Sequence, residues 1–427
     1  MSAMFKVQHV SIEGLWGVKN FDTDFNSDIS ILIGPNGSNK TIFLSLIESC
    51  LTCEVHKLSQ ISFRTITFSL KDDSTKEQIC IQRLLLEEWI IIRYIFDDEK
   101  IDVRVFCDYD EPFYRSHSVA KERVCHIREL LKQKINMTWL SVDRYTENQD
   151  DLRRTYRNVV DKKLDDLLRD LVTYRQSLVE QVNKRTMELY SKELSLLLYD
   201  ESTDNFDIER ITQFTTMDPD DIKTHLFRVF GQIGLANELR TKILNHISKL
   251  SEAIERVRQN GELKLNDVAA LVLINRTMRV LELSKKYKEE CELIMGPVDL
   301  YCSILSRFIK DKSFSFSEEQ GRLQIGCLRE RISQEQPTTF LSPYNLSSGE
   351  KQILILLTQT LLQEKKPYIY IADEPELSLH IAWQKTIIGA IHTLNPNAQI
   401  IIATHSPEIA GRWPMKIISM ESITHYD

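Results

Sequence analysis

The sequence has little glycine and little proline, with 13 glycines and 11 prolines in 427 residues. Charged residues make up 27% of the chain, and this balance favours long solvated helices. The formal net charge of −8 excludes a global basic field, so any nucleic-acid site would have to be a local patch. A chain of this length has room for two or three domains and a large core.

Long apolar runs are also missing. No stretch reaches the roughly 20 residues needed to cross a bilayer, and the N-terminal segment lacks the hydrophobic region of a signal peptide. We therefore expect a cytoplasmic protein with no membrane partner, whose eight cysteines are reduced and mostly buried. Cys50 and Cys53, with His56 nearby, have the spacing of a metal or redox site, but no second such pair occurs, so we favour a structural role.

The chain is organised around the stretch Ile29–Thr41. It begins with the short apolar run Ile29–Ile33, continues through a glycine-rich turn, and opens an apolar, helix-compatible segment. A P-loop has this context, in which a strand leads through a glycine-rich loop and a Lys-Thr pair into a helix. The backbone N–H groups of the loop and the helix N-terminus bind phosphate. Lys40 is predicted to reach the β- and γ-phosphates of ATP, and the Thr41 hydroxyl to ligate Mg2+. The predicted nucleotide-binding residues are Gly34, Pro35, Asn36, Gly37, Ser38, Asn39, Lys40 and Thr41.

One position departs from the pattern G-x-x-x-x-G-K-[ST], because Asn39 stands where the pattern has glycine. That glycine needs a backbone conformation near or beyond positive φ, and asparagine tolerates this region best among the other residues. We expect the loop to form and to bind nucleotide. The added side chain next to the γ-phosphate is expected to slow hydrolysis, and the alternative is that nucleotide is only a structural ligand.

Alternating β-branched segments before and after the P-loop helix predict strands, and Asp-rich turns between the later ones predict an antiparallel meander. The segments are 7–12, 21–25, 61–70, 78–84, 89–96 and 100–106. Trp16, in the first turn, is predicted to stack on adenine, with packing as the alternative. A helix over 119–134 and a buried strand over 136–142 follow. Arg144 comes after that strand and is predicted to face the nucleotide or to form a structural salt bridge.

Between residues 151 and 310 apolar residues recur at steps of four and three, which predicts helices with coiled-coil seams. The seam residues are Val160, Leu164, Leu167, Leu171, Tyr174 and Leu178, then Ile243, Ile247, Leu250, Ile254 and Val257. We expect two long helices that fold back on each other, with a globular helical lobe as the alternative. The pair Gly296-Pro297 is predicted to end this region, and a β-hairpin around Gly321 to follow it. A basic cluster over 153–163 is balanced by aspartates and favours a solvated face over a DNA contact.

The carboxyl-terminal third begins with the segment Leu346–Gln352, which leads into a strongly apolar helix. Its small residues Ser347, Ser348 and Gly349 predict a second anion-binding helix terminus.

Two apolar strands then end in polar residues. The first delivers Asp373, predicted to hold Mg2+, and Glu374, predicted to polarise the attacking water as general base. The second ends in His405, whose imidazole is predicted to hydrogen-bond the γ-phosphate.

In this order the motifs resemble the ABC-type ATPase heads of the SMC, RecF and OLD group. The matching segments are the P-loop Gly34–Thr41, the signature Leu346–Gln352, the Walker B pair Asp373-Glu374, the D-loop Glu376–His380 and the switch histidine His405. The resemblance implies an α/β fold, in which a mixed sheet with an antiparallel β meander carries an inserted helical or short coiled-coil arm. The implied domains are 1–150, 151–310 and 311–427. Gln149 is the candidate for the Q-loop.

The resemblance also implies an ATPase whose heads pair around ATP, so that Ser347, Ser348 and Gly349 act in trans on the partner's γ-phosphate. OLD-type proteins carry a nuclease domain after the head, SMC proteins have far longer coiled coils, and transporter heads have a shorter insert. The chain looks most like the ATPase subunits of bacterial anti-phage systems, AriA of PARIS or PtuA of Septu, with PARIS favoured. Such a subunit is an oligomeric scaffold and sensor for a separate TOPRIM- or HNH-type nuclease, with a phage protein as trigger. The alternative is a RecF- or SMC-like repair ATPase that binds DNA through its heads.

Overall fold

The computed structural model describes residues 5–72, 75–86, 89–97, 99–106, 118–140, 159–195, 223–224, 226–227, 240–260, 265–327 and 340–426. The strands are β1 Lys6–Leu15, β2 Lys19–Asp24, β3 Ile29–Ile33, β4 Thr65–Lys71, β5 Lys76–Leu86, β6 Trp89–Phe96, β7 Glu99–Phe106, β8 Met137–Leu140, β9 Lys312–Phe316, β10 Leu323–Cys327, β11 Ile369–Asp373, β12 Gln399–Ala403, β13 Ile417–Ser419 and β14 Thr424–Tyr426. The α-helices with described bounds are α1 Lys40–Thr52, α2 Val55–Gln60, α3 Ser118–Lys134, α4 Val159–Ser195, α5 Arg240–Asn260, α6 Leu265–Phe308, α7 Ser348–Leu361, α8 Ile381–Leu394, α9 Pro407–Arg412 and α10 Met420–Ile423. Five residues that the sequence singles out lie outside the described part, namely Arg144, Gln149, Arg153, Arg154 and Arg157.

The strands form two large sheets, which confirms the predicted α/β fold with its antiparallel component. The antiparallel sheet has the order β14-β2-β1-β4-β5-β6-β7, and it contains the predicted meander in sequence order from β4 to β7. The other sheet has the order β13-β3-β12-β11-β8. Its paired strands are parallel. Strands β3 and β12 are almost wholly buried, as their continuous apolar runs predict.

Helix α1 packs against both sheets and forms the centre of the core. Phe43 of α1 lies 5.4 Å from the ring of Phe21 in β2. The Tyr94 hydroxyl of β6 donates a hydrogen bond to the Cys50 carbonyl at 3.0 Å. The same core cluster includes Ile371 of the parallel sheet. Burial of each of these side chains stabilises the fold by roughly 1.5–3 kcal/mol. The P-loop therefore precedes a helix that is firmly packed in the core.

A buried glutamine links the two sheets at the start of β12. The Gln399 side chain accepts a hydrogen bond from the Val7 N–H at 2.9 Å and donates to the Val7 carbonyl at 2.7 Å. It also donates to the Asn26 carbonyl at 2.9 Å. Because Gln399 is fully buried, it satisfies backbone groups of β1 that no water reaches.

The β-hairpin predicted around Gly321 is confirmed, since β9 and β10 pair antiparallel. The prediction that Gly296-Pro297 ends the helical region is wrong, because α6 continues through Pro297 to Phe308. A proline inside a helix removes one backbone donor and costs about 3 kcal/mol. The turns beyond it are held by packing, for Tyr301 is fully buried and its hydroxyl lies 2.6 Å from Thr358 Oγ1.

The chain divides into two compact units, Met1–Val172 with Leu300–Asp427, and Thr173–Asp299. The predicted domain boundaries at residues 150 and 310 stay a prediction. Within the described part of the second unit, Ile243 and Ile247 of the predicted seam are buried. No helix in the described ranges is both long enough and apolar enough to cross a membrane.

Residues 265–299 of the second unit form most of α6, a long helix that was not predicted. Thr186 of α4 lies 2.6 Å from the Tyr287 hydroxyl of α6, and His246 of α5 lies 2.9 Å from Thr277 of α6. The expected pair of helices was therefore incomplete, since α6 contacts both. The sequence contains the seam of α6, but Gly296-Pro297 interrupts it and predicts a break there. The seam residues are Tyr287, Cys291, Ile294, Val298, Tyr301, Leu305 and Phe308.

Candidate nucleotide-binding site

Three neighbouring strands of the parallel sheet end at one edge, and each brings a predicted motif there. Strand β3 ends at Ile33 and leads into the P-loop, β11 ends at Asp373, and β12 ends two residues before His405. Asp373 stands opposite Ala403, which in turn stands opposite Leu32. Because parallel strands carry their carboxyl ends to the same edge, the P-loop, the acidic pair and the histidine meet there.

The P-loop backbone has the shape that its sequence predicts. A Cβ added to Gly34 would lie 2.7 Å from Ser38 Oγ and 3.1 Å from Met420 Cβ, so the position requires glycine. Gly37 has a φ of 82°. Asn39 has a φ of 67° and a ψ of 23°, which is the left-handed region. The expectation that position 39 needs positive φ and that asparagine supplies it is confirmed.

Lys40 is buried at the start of α1, with 5% of its surface exposed. Its ammonium group donates hydrogen bonds to the carbonyls of Gly34 at 2.9 Å and Pro35 at 3.2 Å. Burial lowers the pKa of Lys40, and the negative charges of Glu374 and Asp373 partly offset that effect. The Lys40 ammonium thus interacts electrostatically with both carboxylates, so the P-loop and the acidic pair share one electrostatic environment.

The acidic pair is followed by a tight turn. Glu374 has a φ of 46°, and its N–H donates to the Ala403 carbonyl at 2.9 Å. His405 Nε2 lies 3.7 Å from Glu374 Oε1, and both side chains are about one-third exposed. The two residues predicted to be catalytic are therefore neighbours at an accessible position, although their roles stay predictions.

The residues present fit a nucleotide with Mg2+. The Thr41 hydroxyl and the Asp373 carboxylate offer the hard oxygen ligands that Mg2+ prefers, and both belong to segments at this sheet edge. The Lys40 ammonium lies against the carbonyls of Gly34 and Pro35, so the loop already holds a cation that suits phosphate. Thr41 and Asp373 would hold the ion, which when bound neutralises charge on the phosphates.

The signature segment forms a well-capped helix start. The Ser347 side chain accepts a hydrogen bond from the Glu350 N–H, and the Glu350 carboxylate accepts one from the Ser347 N–H at 2.8 Å, which completes a capping box. Glu350 also binds Lys312 at 2.6 Å. Ser347 and Ser348 are exposed, so their hydroxyls are accessible at this helix terminus.

Gly349 is buried where the signature helix meets the D-loop. A Cβ at this position would lie 2.6 Å from the Ser378 carbonyl and 3.3 Å from the Trp383 ring. Glycine is required because the two backbones approach closely. Signature and D-loop are thus in direct contact within one chain.

Trp16 lies in the turn between β1 and β2, with a φ of 53° and 44% of its surface exposed. The Lys19 ammonium lies 5.7 Å from the centre of the Trp16 ring and 5.7 Å from that of Tyr426. The ring is accessible, as adenine stacking requires, but it also has a cation–π partner. Its role in adenine binding stays a prediction.

Cys50 and Cys53 are fully buried in the core. Burial raises the pKa of the Cys53 thiol to about 12 and that of Cys50 well above its ordinary value. Neutral, buried thiols are poor metal ligands and poor nucleophiles. The geometry therefore favours the structural role for this pair.

Glu376 is a residue of the site region whose role the sequence did not reveal. It falls within the predicted D-loop, and its carboxylate is buried against the loop that carries His405. The available signal was an acidic residue two positions after the Walker B pair, together with two hydroxyl residues, Thr404 and Ser406, beside the histidine.

A glycine-rich loop with a buried lysine, facing two acids across a parallel sheet edge, is the arrangement of P-loop ATPases, and this protein is an ATPase. The family model described as AAA ATPase domain matches residues 5–410, and the chain belongs to that family. The chain is 22% identical over 429 residues to Retron Ec83 probable ATPase of Escherichia coli. The matched region covers 95% of this chain and 69% of that protein. It is 37% identical over 159 residues to Retron Vc95 probable ATPase of Vibrio cholerae serotype O1 biovar El Tor, over 28% of this chain and 30% of that one.

Solved structures with a similar arrangement are SMC head domains. The Smc head with an extended coiled coil from Pyrococcus furiosus, bound to the C-terminal domain of ScpA, is 14% identical with a TM-score of 0.44, over 99% of this chain and 96% of that one. The Smc head with coiled coil and joint from Pyrococcus yayanosii is 13% identical with a TM-score of 0.45, over 99% and 97%.

Proposed function

We propose that this ATPase works as a homo-oligomer in which two heads enclose ATP, and that it is the scaffold and sensor of a bacterial anti-phage defence complex. In this proposal it restrains or releases a separate effector nuclease of TOPRIM or HNH type when a phage protein triggers it. The observation that supports head pairing most directly is the exposed signature terminus at Ser347 and Ser348. Its hydroxyls and helix dipole suit the γ-phosphate of a nucleotide held by a second copy.

Each residue of one head has a proposed task in hydrolysis. Lys40 binds the β- and γ-phosphates, while Thr41 and Asp373 hold Mg2+. Glu374 accepts a proton from the attacking water, and His405, which it contacts, donates a hydrogen bond to the γ-phosphate. Asn39 slows this reaction relative to a loop with glycine at that position.

The defence role is supported by the relatives, which are named as ATPases of retrons. Such a name supports an ATPase that is one component of a larger bacterial system. The effector and trigger follow from the resemblance to the ATPase subunits of PARIS and Septu. A DNA-repair ATPase is less well supported, since the chain has a net charge of −8.

The head pairing is tested by mixing two inactive variants. Lys40→Ala removes the phosphate-binding side of the site, and Ser348→Arg blocks the signature side. In a mixture, half of the pairs combine one of each and regain one intact site, so phosphate release should return to about a quarter of the wild-type rate. The matched control mixes Lys40→Ala with Glu374→Gln, which damage the same side and should restore nothing. The shared ATP site is disproved if the first mixture stays inactive although differently tagged copies of the two variants co-purify in the presence of ATP.

The defence role is tested in cells that carry the native locus. Efficiency of plating of phage should rise when Lys40→Ala replaces the wild-type chain, because the sensor can no longer hold ATP. The purified chain alone should cleave neither DNA nor RNA, and cleavage would contradict the need for a separate effector. Salt-dependent duplex binding that strengthens with ATP, without any change in plating, would favour the repair ATPase instead.

A further inference from the structure

A buried carboxylate holds the loop that carries the switch histidine. Glu376 is 8% exposed, and its Oε1 accepts three hydrogen bonds, all from the loop that follows β12. The donors are the Thr404 hydroxyl at 2.5 Å, the His405 N–H at 3.0 Å and the Ser406 N–H at 3.2 Å. One oxygen atom therefore fixes three consecutive residues.

A second contact closes a ring of hydrogen bonds around this loop. The Ser406 hydroxyl donates to Gln384 Oε1 at 2.7 Å, and the Gln384 amide donates to the Leu379 carbonyl at 3.0 Å. Leu379 and Glu376 both belong to the predicted D-loop. The D-loop and the histidine loop are thus tied at two points, through Glu376 and through Gln384.

We propose that Glu376 is the positioning residue of His405 and couples its placement to the D-loop, an inference that rests on the proposed catalytic role of His405. The His405 side chain is partly exposed and its ring nitrogen lies 3.7 Å from Glu374. The ring is therefore placed mainly through its backbone, which Glu376 anchors. Three hydrogen bonds of 2.5 to 3.2 Å converge on one oxygen atom of Glu376, and together they hold this backbone in place.

Loss of the anchor moves the histidine and leaves the phosphate-binding residues in place. Without the carboxylate, the His405 N–H and the Thr404 hydroxyl lose their acceptor, and the Ser406 N–H keeps only Thr404 Oγ1 at 2.9 Å. The loop then reorients to satisfy the freed donors. A misplacement of about 1 Å at a catalytic group costs up to a hundredfold in rate. The P-loop is held by α1 and by its own backbone, so ATP binding does not depend on Glu376.

The experiment compares Glu376→Ala with Glu376→Gln in steady-state ATP hydrolysis. Glu376→Ala should lower kcat by roughly ten- to a hundredfold and change KM by less than about threefold. Glu376→Gln should keep most of the activity, because the amide oxygen accepts the same three hydrogen bonds. The amide nitrogen would replace Oε2, which has no hydrogen-bond partner among the residues that the structure describes.

A double-mutant cycle separates positioning from general damage. Glu376→Ala should add no further loss in a His405→Ala background, because it acts through that histidine. Glu408→Ala, which removes a surface carboxylate paired with Lys385, is the matched control and should be silent. Thermal unfolding shows which variants are folded.

Each outcome decides one question. If His405→Ala has wild-type activity, the proposed role of the histidine fails. If His405→Ala is impaired but folded Glu376→Ala is active, or if the two losses are additive, the positioning role fails. If Glu376→Ala does not fold, the cycle is run with Thr404→Val, which removes one of the three donors and should lower kcat with the same lack of additivity.

Discussion

At the scale of single residues, backbone conformation shapes the candidate site as much as side-chain chemistry does. Asn39, Glu374 and Ser378 all have positive φ, at 67°, 46° and 71°. A non-glycine residue in this region costs of order 1–3 kcal/mol and persists only where its surroundings hold it. These three residues lie in the P-loop, the Walker B turn and the D-loop. At each of them the fold keeps a backbone conformation that lowers local stability but sets the shape of the candidate site.

Asn39→Gly is predicted to accelerate hydrolysis. It removes the side chain next to the phosphate site and relieves the cost of left-handed φ. A barrier lowered by roughly 1 kcal/mol raises kcat about fivefold. Steady-state phosphate release measures this, and Asn397→Gly, an exposed asparagine outside the site, is the control. A rate that stays the same or falls would show that the asparagine does not limit turnover.

Most single residues of the site were predictable because their chemistry is tied to a motif. Lys40, Asp373 and His405 each follow a recognisable apolar strand, and parallel strands bring their ends together. Glu376 was not predictable in its role, because its partners are 28 to 30 positions away and two of its three hydrogen bonds go to backbone groups. Such contacts leave little trace in side-chain patterns.

At the scale of secondary-structure elements, single polar side chains decide how strands and helices join. The link between the sheets depends on Gln399, and the start of the signature helix depends on Glu350. Both are polar groups that satisfy backbone atoms at an element terminus.

Gln399→Leu is predicted to destabilise the fold by about 2 kcal/mol, because the buried Val7 N–H and carbonyl lose their partners. Urea unfolding measures the loss. Asn397→Ala, an exposed neighbour, should stay within about 0.5 kcal/mol of wild type. Equal stabilities for the two variants would mean that Gln399 does not hold the sheets together.

The signature helix cap is predicted to weaken in acid. Burial raises the pKa of Glu350, but the hydrogen bonds from Lys312 and Ser347 outweigh that effect and leave it below its ordinary 4.5. A lowered carboxyl pKa contributes stability that is full above pH 4.5 and is lost as the pH falls through the folded value. Melting temperatures of wild type and Glu350→Gln between pH 7 and pH 3 should converge at the acid end. Parallel curves would contradict this assignment.

The first turn of α4 is joined to the signature helix by a buried ion pair. Asp161 and Lys351 lie 2.7 Å apart, with 5% and 12% of their side chains exposed. Asp161→Asn leaves a buried ammonium without its charge partner and is predicted to cost about 3 kcal/mol. Lys366→Gln breaks an exposed pair with Glu364 and should cost under about 1 kcal/mol. Urea unfolding compares them, and similar losses would show that burial does not matter here.

At the scale of the whole molecule, the sheet order could not be deduced from sequence. The runs of β-branched residues predict the strands, but the order β13-β3-β12-β11-β8 depends on packing between segments hundreds of residues apart. The continuation of α6 through Pro297 was missed for the opposite reason, since a local rule about proline was overridden by buried contacts such as Tyr301 with Thr358.

Strand β3 has only late partners in its sheet. Its two neighbours, β12 and β13, are formed by residues 399–403 and 417–419. A nascent chain stalled with residues 1–398 outside the ribosome is therefore predicted not to crosslink a photoreactive ATP analogue, whereas one with residues 1–426 outside should do so. Crosslinking by the shorter chain would show that the loop forms without its neighbours.

This order has a consequence for synthesis in the cell. At roughly ten residues per second, the ribosome needs on the order of half a minute between the P-loop strand and its first neighbour. During that interval an apolar segment, Ile29–Ile33, has no sheet in which to bury. The need for chaperones during synthesis, and the effect of translation speed on folding, should therefore depend on this strand. Its partner strands lie in the last tenth of the chain.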